Sequence, residues 1–556
     1  MGTPAPPSQN GTIDVTPTQL YGVSGNVAFQ QETLHKGANS FLDELERYPD
    51  GGGYGTAAWA FSTAYRKVGN RFLDVWARSV LSVGGAAVGF TTTANNYAAA
   101  DAATHPSGNA TPTHQAPPTV IDKLPKYRSV TDLKWGDLDE GQDVWEKVLE
   151  GLEAGVLAIM RPLLEDACRF GKAAEILPLP NHHRLDSISK AWLLPGISAG
   201  TVDGNLTAAL TGITNQTNTE WYTAMRTFCS SIWGTTDWGK SREGHVWSHD
   251  KAGNTGMSHP ILSVLIDTCD GVSDAVMAFA RAAEDVRSDL HDIYWRAVRD
   301  ALPHVDTKDG IGLKDVKSVI KGIGKMGKSL AGGIVLEIDE EALNAAVEAY
   351  NNRVQRQVPE LNKLLPALDE AFLSAPTFLA ESARAEAFGA RALNDFKKSQ
   401  LYTVPGDDES NHKYPLDLAN QEGIGNSHVI DKHVGKTDEQ LEQRLRDQQV
   451  IRNGDIRPKA ASTFDDLESA QKLTQAVMDD PNNQRKIDNW LNGNPGESSK
   501  RNIGLTFNDP TGRTWDRGDS SAHDAYNVIV TLKPVPGGHP PYVVLTSMPT
   551  DQAPPQ

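Results

Sequence analysis

Residues 425–437 have the sequence GNSHVIDKHVGKT, and the chain's candidate chemistry is concentrated in this stretch. Two histidines, His428 and His433, stand five residues apart, and Lys432 and Lys436 flank the second histidine. Histidine suits proton transfer near neutral pH because its unperturbed pKa is about 6.5. Positive side chains beside it suit an anionic substrate. The stretch therefore predicts an acid–base site that acts on an anion.

The hydrophobic pattern changes period downstream of this stretch. A helix is predicted to start at Thr437, where Gln440 completes a capping box, and a second at Ser462 or Thr463. A third helix is expected to end near Trp490 and Leu491. The period then falls to two, and residues 527–533 and 542–548 are predicted to pair as a hairpin. Helices followed by strands predict an α+β domain over 424–556.

Upstream, apolar residues recur at helical spacing, which predicts a multidomain chain with a mainly α-helical bundle as its N-terminal region. Helices are expected over 259–302, 338–357 and 360–398, with Pro359 separating the last two. The predicted divisions are a partly disordered leader (1–35), a helical export-signal region (36–105), a linker (106–128), a helical delivery region (129–400) and a second linker (401–423).

The totals limit the classes of protein that this chain can be. The net charge is −18, which disfavours a passive nucleic-acid coat. Residues 424–556 hold 15 Lys and Arg against 18 Asp and Glu, so the acidity belongs mostly to the N-terminal part. Three cysteines predict no disulfide framework. No apolar run reaches the roughly 18 residues of a membrane span, and residues 1–16 lack the pattern of a standard secretory signal peptide.

A helical pair is followed by Tyr97 and Asp101, which are spaced so that they share one helix face. The pattern resembles the export signal of ESX (type VII) secretion substrates, in which a Tyr-x-x-x-Asp motif follows such a pair. A Gly-rich turn at 51–53 replaces the Trp-x-Gly turn usual in that family. The resemblance implies recognition by a secretion machinery, and an ordinary helical turn is the alternative.

The C-terminal motifs carry a second resemblance. They are His-x-x-x-x-His-Val-Gly-Lys-Thr, a helix with arginine, Ser-Thr-Phe, and a last strand with Val-Leu-Thr-Ser. Their order is similar to that of the ribonuclease A-like toxin domain of bacterial contact-dependent inhibition and other polymorphic toxins. The resemblance implies an α+β, metal-independent RNase with His433, Arg444 and Thr546 as catalytic residues. The family has a tyrosine where this chain has Met548.

RNA cleavage by its own 2′-OH requires a base, a group that stabilises the phosphate and an acid for the leaving oxygen, and it leaves a 2′,3′-cyclic phosphate. We expect His433 to be the base and Arg444 to bind the phosphate, with help from Lys436 or Lys432. Thr546 is expected to hydrogen-bond a phosphate oxygen or a base edge. Two candidates remain for the acid: His428, and Tyr542 on the face of the last strand that also carries Thr546.

Three functional hypotheses follow. The first is a secreted toxin that needs no cofactor, cleaves RNA (tRNA is one candidate) in the cytoplasm of a target cell and is blocked by a cognate immunity protein. The second is a secreted helical protein whose C-terminal domain binds RNA or a partner without cutting it. The third is a metal-dependent nuclease that uses both histidines, although acidic partners at a motif spacing are lacking. His245 and His249 have the i, i+4 spacing of metal ligands, but a packed Trp-rich loop is the favoured interpretation there.

Overall fold

The computed structural model describes most of the helical region and nearly all of the C-terminal region. The described residues are 16–104, 111–133, 171–211, 241–242, 245–246, 261–301, 337–395, 416–422, 424–447, 449–452, 454–538 and 540–555. Several sequence predictions fall outside these ranges. They include the first 15 residues of the leader, most of the Trp-rich segment and His249.

The N-terminal region is a helical bundle, as its apolar periodicity predicts. Its helices share one hydrophobic core, in which Trp76 and Trp192 are fully buried. The indole of Trp76 donates to the Leu34 carbonyl at 2.9 Å, so this buried polar atom has a partner. The described helices are α1 (Pro17–Leu45), α2 (Thr56–Thr104), α3 (His182–Thr211), α4 (Ile261–Ala301), α5 (Glu340–Asn362), α6 (Leu365–Ser374) and α7 (Phe378–Asp395).

The C-terminal region is the predicted α+β domain, with short helices packed on small antiparallel sheets. Its helices are α8 (Leu418–Gln421), α9 (Val429–His433), α10 (Asp438–Asp447), α11 (Leu467–Asp479) and α12 (Pro481–Asn492). A two-residue pair in the helical region, β1 (Ser241–Arg242) and β2 (His245–Val246), precedes the strands β3 (Val450–Arg452), β4 (Asp455–Arg457), β5 (Ala460–Thr463), β6 (Arg501–Thr506), β7 (Gly512–Asp516), β8 (His523–Ala525), β9 (Asn527–Pro534) and β10 (Tyr542–Thr550). Strand β9 lies between β10 and β6, β7 lies between β5 and β8, and β3 pairs with β4.

Local signals were reliable where a few neighbouring residues determine the structure. The capping box at the start of α10 forms as expected, since Thr437 and Gln440 exchange side-chain-to-backbone hydrogen bonds. The predicted hairpin forms as β9 and β10. Helix α4 also matches its predicted limits within two residues.

Three expectations about the elements are wrong. Helix α1 begins at Pro17, capped by Thr16, inside the segment predicted to be a leader. Pro359 lies within α5 rather than between two helices. No helix starts at Ser462, because residues 460–463 pair with β7 as strand β5, and α11 is capped instead by Asp466. Strand pairing between distant segments overrides the local helix signal here.

Helix α7 joins the bundle to the C-terminal domain. It packs against α2 at Gly85 and Gly89, where an added Cβ would lie 2.2 Å from the Phe378 carbonyl oxygen and 2.4 Å from the Ala385 Cβ, respectively. On its other side, Ala383 and Ala387 belong to the core of the C-terminal domain. Because α7 contributes to both cores, the C-terminal domain is anchored directly to the bundle.

Polar contacts reinforce this junction. Thr377 donates to the Gly435 carbonyl at 2.6 Å, two residues beyond His433. Gly435 has φ = +62°, a conformation that suits glycine, and an added Cβ would lie 3.1 Å from the Ala380 nitrogen. The buried Arg384 on α7 contacts Glu381 at 2.8 Å and Asp431 on α9 at 3.2 Å. The junction therefore reaches the helix that carries His433.

The domain begins earlier than the predicted boundary at residue 424. Leu416 and Leu418 lie in the core of the C-terminal domain, within the stretch predicted to be a linker. The side-chain amides of Gln471 and Gln475 on α11 hold the backbone of these two residues. Residues 416–422 are therefore an integral part of the domain.

Candidate active site

His433 is the most enclosed of the predicted site residues. It ends α9 and is 3% exposed. Its Nδ1 lies 2.9 Å from the Ser462 carbonyl oxygen on β5. A carbonyl can only accept, so Nδ1 carries the proton and Nε2 keeps its lone pair in the neutral ring. Burial first, and then the charge of Arg444, lower the pKa of His433 well below its usual value. The lowered pKa favours the neutral ring, and Nε2 is the basic atom of that ring.

His428 stands at the other end of the same short helix. It occupies the N-cap position of α9, but its ring makes no capping bond. Its Nδ1 donates to the Asn426 carbonyl at 2.8 Å, so its Nε2 is also the atom available for chemistry. Burial first, and then the charge of Lys432, lower the pKa of His428. His428 also contributes to lowering the pKa of His433, so the two histidines lie within electrostatic reach of each other.

Arg444 lies close enough to both histidines for its charge to act on them. It projects from α10 and donates from Nη1 to the Lys432 carbonyl at 3.1 Å, which ties α10 to α9. Its charge lowers the pKa of His433 and of His428. A guanidinium carries a permanent positive charge and a planar fork of donors, a geometry that suits a phosphate.

The two predicted lysines are placed differently. Lys432 lies on α9 between the histidines, and its charge lowers the pKa of both rings. Lys436 is held through its backbone: its carbonyl accepts a hydrogen bond from Arg513, and its N–H donates to the Thr463 hydroxyl at 3.0 Å. Lys436 is not among the groups that shift either histidine. Lys432 is therefore the lysine that the structure associates with the paired rings.

Thr546 lies on β10 next to the anchor of His428. The backbone N–H of His428 donates to the Leu545 carbonyl at 3.1 Å, and the hydroxyl of Ser427 donates to Val544. The Thr546 hydroxyl oxygen is buried and makes no hydrogen bond within the described part of the chain. An unsatisfied buried hydroxyl is costly, and a substrate oxygen would satisfy it.

The expectation that Tyr542 shares a face with Thr546 is wrong. Strand β10 changes register between Val544 and Thr546, so Leu545 is an extra residue relative to β9. Such a bulge reverses the alternation of side chains that follows it. Tyr542 consequently packs with Val544 in the core. Thr546 and Met548 pair with Thr531 and Ile529, away from the core-facing partners of β9.

Sequence reasoning missed two residues that fix α9 and β10. Both carboxylate oxygens of Glu422 accept backbone N–H groups of α9, from Ile430 at 3.0 Å and from Asp431 at 2.9 Å. Gln421 is fully buried and accepts from the Val544 N–H at 2.9 Å, immediately before the bulge. No local signal marked these residues, because their partners are brought to them by the fold.

A separate cluster of possible metal ligands lies elsewhere in the domain. Within the described part of the chain, Asp516, His523 and Asp551 place their ligand atoms within 4.8 Å of one another. Neither His428 nor His433 belongs to this cluster. The carboxylate of Asp551 raises the pKa of His523, and all three side chains are substantially exposed. His523 is the first residue of β8.

The predicted export-signal residues lie near the end of α2. Tyr97 is buried in the bundle core, with 4% exposure, so its ring is not presented on the surface as receptor recognition would require. The side chain of Asp101 lies outside the described residues. Among the described helices, none combines the length and the apolar character of a membrane span.

The site thus combines a buried histidine with a lowered pKa, a second histidine, a guanidinium and an unsatisfied hydroxyl within an α+β domain. This combination defines a class of domain equipped for acid–base chemistry on an anion. Residues 427–549 match the family model described as the bacterial CdiA-CT RNAse A domain. Through its C-terminal domain, the chain belongs to this family of RNase A-like bacterial toxin domains.

One solved structure is similar to the same part of the chain. It is the crystal structure of a CdiA-CT/CdiI complex from Y. kristensenii 33638, with 31% sequence identity. The similarity covers 22% of this chain and 99% of that chain, with a TM-score of 0.19. No curated protein matches the chain.

Proposed function

We propose that this protein is a secreted bacterial toxin whose C-terminal domain is a metal-independent endoribonuclease. The proposed reaction is attack of an RNA 2′-OH on the adjacent phosphate, which leaves a 2′,3′-cyclic phosphate and a free 5′-hydroxyl. The observation that carries the proposal is the hydrogen bond from His433 Nδ1 to the Ser462 carbonyl, which leaves Nε2 as a base. The family match over 427–549 supports the same reaction class.

His433 is the proposed general base. A base that accepts the 2′-OH proton must be unprotonated before the reaction, and burial together with the charge of Arg444 favours the neutral ring. Its tautomer is set by a backbone carbonyl rather than by a side chain that could rotate away. The 2′-OH is present in RNA and absent from DNA, so RNA is the proposed substrate.

His428 is the proposed general acid, in place of the tyrosine that is replaced by Met548. Its Nε2 is the free ring nitrogen, and its ring is less buried than that of His433. Stronger burial lowers the pKa of the base further than that of the acid, which favours the productive pair of a neutral His433 and a protonated His428. Tyr542 is not proposed for this role, because it packs in the core.

Arg444, Lys432 and Thr546 are the proposed groups for the phosphate. Arg444 and Lys432 bring positive charge next to both rings, which would stabilise the charge that develops on the phosphate oxygens. The Thr546 hydroxyl has no hydrogen-bond partner within the described residues, and we propose that it binds a phosphate oxygen or a base edge. Lys436 remains a candidate for contacts farther along the RNA.

The test is RNA cleavage by the full chain in EDTA, with tRNA and a DNA strand as substrates. We expect cleavage of tRNA, no cleavage of DNA, a 2′,3′-cyclic phosphate end, and loss of at least about 100-fold in rate for His433→Ala. His523→Ala is the matched control, since His523 lies in the separate cluster with Asp516 and Asp551. Cleavage that requires a metal ion would contradict the mechanism.

The alternative is a C-terminal domain that binds RNA or a protein without cutting RNA. The observation in its favour is Met548, which stands at the position where the resembling family has a tyrosine. Binding of tRNA that is equal in wild type and His433→Ala, without detectable cleavage in either, would favour this alternative over the RNase.

We also propose that a cognate immunity protein covers this site and that the helical region serves export and delivery. The solved CdiA-CT structure is a complex with CdiI, which is consistent with such a partner. The proposed place of action is the cytoplasm of a target cell, where RNA is accessible. Export through an ESX-like secretion machinery would require exposure of Tyr97, which is buried in α2.

A further inference from the structure

The N-terminus of α9 is capped in an unusual way. The N-cap position is normally occupied by a residue whose side chain accepts a hydrogen bond from the N–H of the second or third helical residue. Here it is His428, which makes no capping bond, because its ring donates from Nδ1 to Asn426. A histidine can serve as an acid or base at this position only if another group satisfies those N–H groups.

Glu422 supplies that other group. The second and third residues of α9 are Ile430 and Asp431, and their N–H groups donate to the two different oxygens of the Glu422 carboxylate at 3.0 and 2.9 Å. Glu422 itself is held at the end of α8, where its N–H donates to the Leu418 carbonyl at 3.0 Å. We propose that Glu422 is a positioning residue of the RNase site, which caps α9 in place of His428 and thereby leaves the histidine ring available for catalysis.

The opposite end of α9 is held by different bonds. The His433 carbonyl accepts from the Phe464 N–H at 2.7 Å, and the Gly435 N–H donates to the Phe464 carbonyl at 3.0 Å. The His428 N–H also donates to the Leu545 carbonyl at 3.1 Å. Loss of the Glu422 bonds would therefore loosen the first turn of α9, at Ile430 and Asp431, and weaken the placement of His428, while leaving the His433 end in place. Glu422 precedes residues 427–549, so the functional unit begins upstream of the family-matched segment.

The charges around Glu422 come from both sides of the junction with the bundle. Asp431 on α9 disfavours the ionised carboxyl, whereas Arg384 on α7 favours it. Arg384 also contacts Asp431 at 3.2 Å and Glu381 at 2.8 Å. Burial and Asp431 together raise the pKa of Glu422 to about 7. Arg384 on α7 opposes this rise and so favours the ionised form of the cap, and an ionised carboxylate at a helix N-terminus is stabilising.

The inference rests on the proposed RNase function, so its test needs a second, activity-independent measurement. The full-chain variants are Glu422→Ala and Glu422→Gln, with Glu497→Gln as the matched control because Glu497 is exposed. The measurements are kcat and KM for tRNA cleavage, and hydrogen exchange of the amides of 428–436.

For Glu422→Ala we expect kcat to fall by about 10- to 100-fold with KM changed by less than about twofold. The reason is that the substitution misplaces the general acid His428 but removes no contact with the substrate. Exchange should accelerate at 429–431 and stay unchanged in α11. Glu422→Gln should be intermediate, because an amide has one oxygen for two N–H groups. If alanine loosens the whole domain, the glutamine variant decides between local and global effects.

Unchanged exchange at 429–431 in both variants would overturn the inference, whatever the activity. Accelerated exchange with unchanged kcat would also overturn it, since capping would then be structural only. A wild-type chain that does not cleave RNA would refute the proposed function, and in that case the exchange data alone would decide whether Glu422 positions α9.

Discussion

The Nδ1–H of His433 donates to the backbone carbonyl of Ser462 at 2.9 Å, so a strand edge determines the tautomer of the candidate base. Ser462 belongs to β5, which pairs with β7. Phe464, which follows β5, exchanges backbone hydrogen bonds with this part of the chain: its N–H donates to the His433 carbonyl, and its carbonyl accepts from the Gly435 N–H. The basic nitrogen is therefore oriented by an element that begins 27 residues after the histidine.

The first prediction concerns the pH dependence of catalysis. The pKa values of both histidines are lowered, that of His433 more strongly, so we expect a bell-shaped profile of kcat/KM with its maximum below about pH 6.5. The acidic limb reports protonation of His433, and the alkaline limb reports deprotonation of His428. The measurement is tRNA cleavage by the full chain between about pH 4 and 8. His428→Ala should lose the alkaline limb, and a limb that persists would assign the acid to another residue.

The second prediction concerns Thr546. Its hydroxyl makes no hydrogen bond within the described residues, so Thr546→Val removes a possible substrate contact without breaking a bond in the free protein. We expect kcat/KM for tRNA to fall by about tenfold, with a free energy of unfolding equal to or higher than that of wild type. Thr546→Ser is the matched control and should retain most activity. Equal activity of the valine and serine variants would contradict a role for the hydroxyl.

The third prediction concerns the junction between α7 and α9. Arg384 is nearly buried beside the fully buried Glu381, so Arg384→Met removes the arginine from a buried ion pair. Removing one partner of a buried ion pair costs about 3–5 kcal/mol. The measurement is the opening free energy from hydrogen exchange of the α8 and α9 amides.

Arg446→Met is the control for that experiment. Arg446 pairs with Glu442 on the exposed side of α10, where both side chains are more than half exposed. Its loss should cost less than about 1 kcal/mol. Equal effects of the two substitutions would show that the junction contributes no more than a surface ion pair.

The fourth prediction concerns the pH dependence of stability. Burial, and then the nearby Asp417, raise the pKa of Glu386 on α7 to about 7, from 4.5 in the unfolded chain. The folded protein therefore binds more protons than the unfolded protein between these values. This contribution to stability is complete below about pH 4.5 and is lost as the pH rises through about 7. Glu386→Gln should flatten this part of the stability profile, measured by urea unfolding at several pH values. A profile that falls as steeply in the variant would refute the assignment.

The sequence alone determined the features that depend on residues close together in the chain. The motif around His433 pointed to the family, and Thr437 with Gln440 specified the start of α10. Apolar alternation specified the hairpin of β9 and β10. These signals are local because hydrogen bonds to neighbouring backbone groups and side-chain periodicity need no knowledge of distant segments.

The tertiary structure decided what depends on contacts that the neighbouring sequence does not specify. Residues 460–463 form a strand because β7 is available to pair with them, and only that strand sets the tautomer of His433. The bulge at Leu545 turns Thr546 away from the face of Tyr542, a change that strict alternation could not reveal. Glu422 acquires its capping role from contacts eight and nine residues ahead. In each case the deciding bond joins segments whose proximity exists only after the chain has folded.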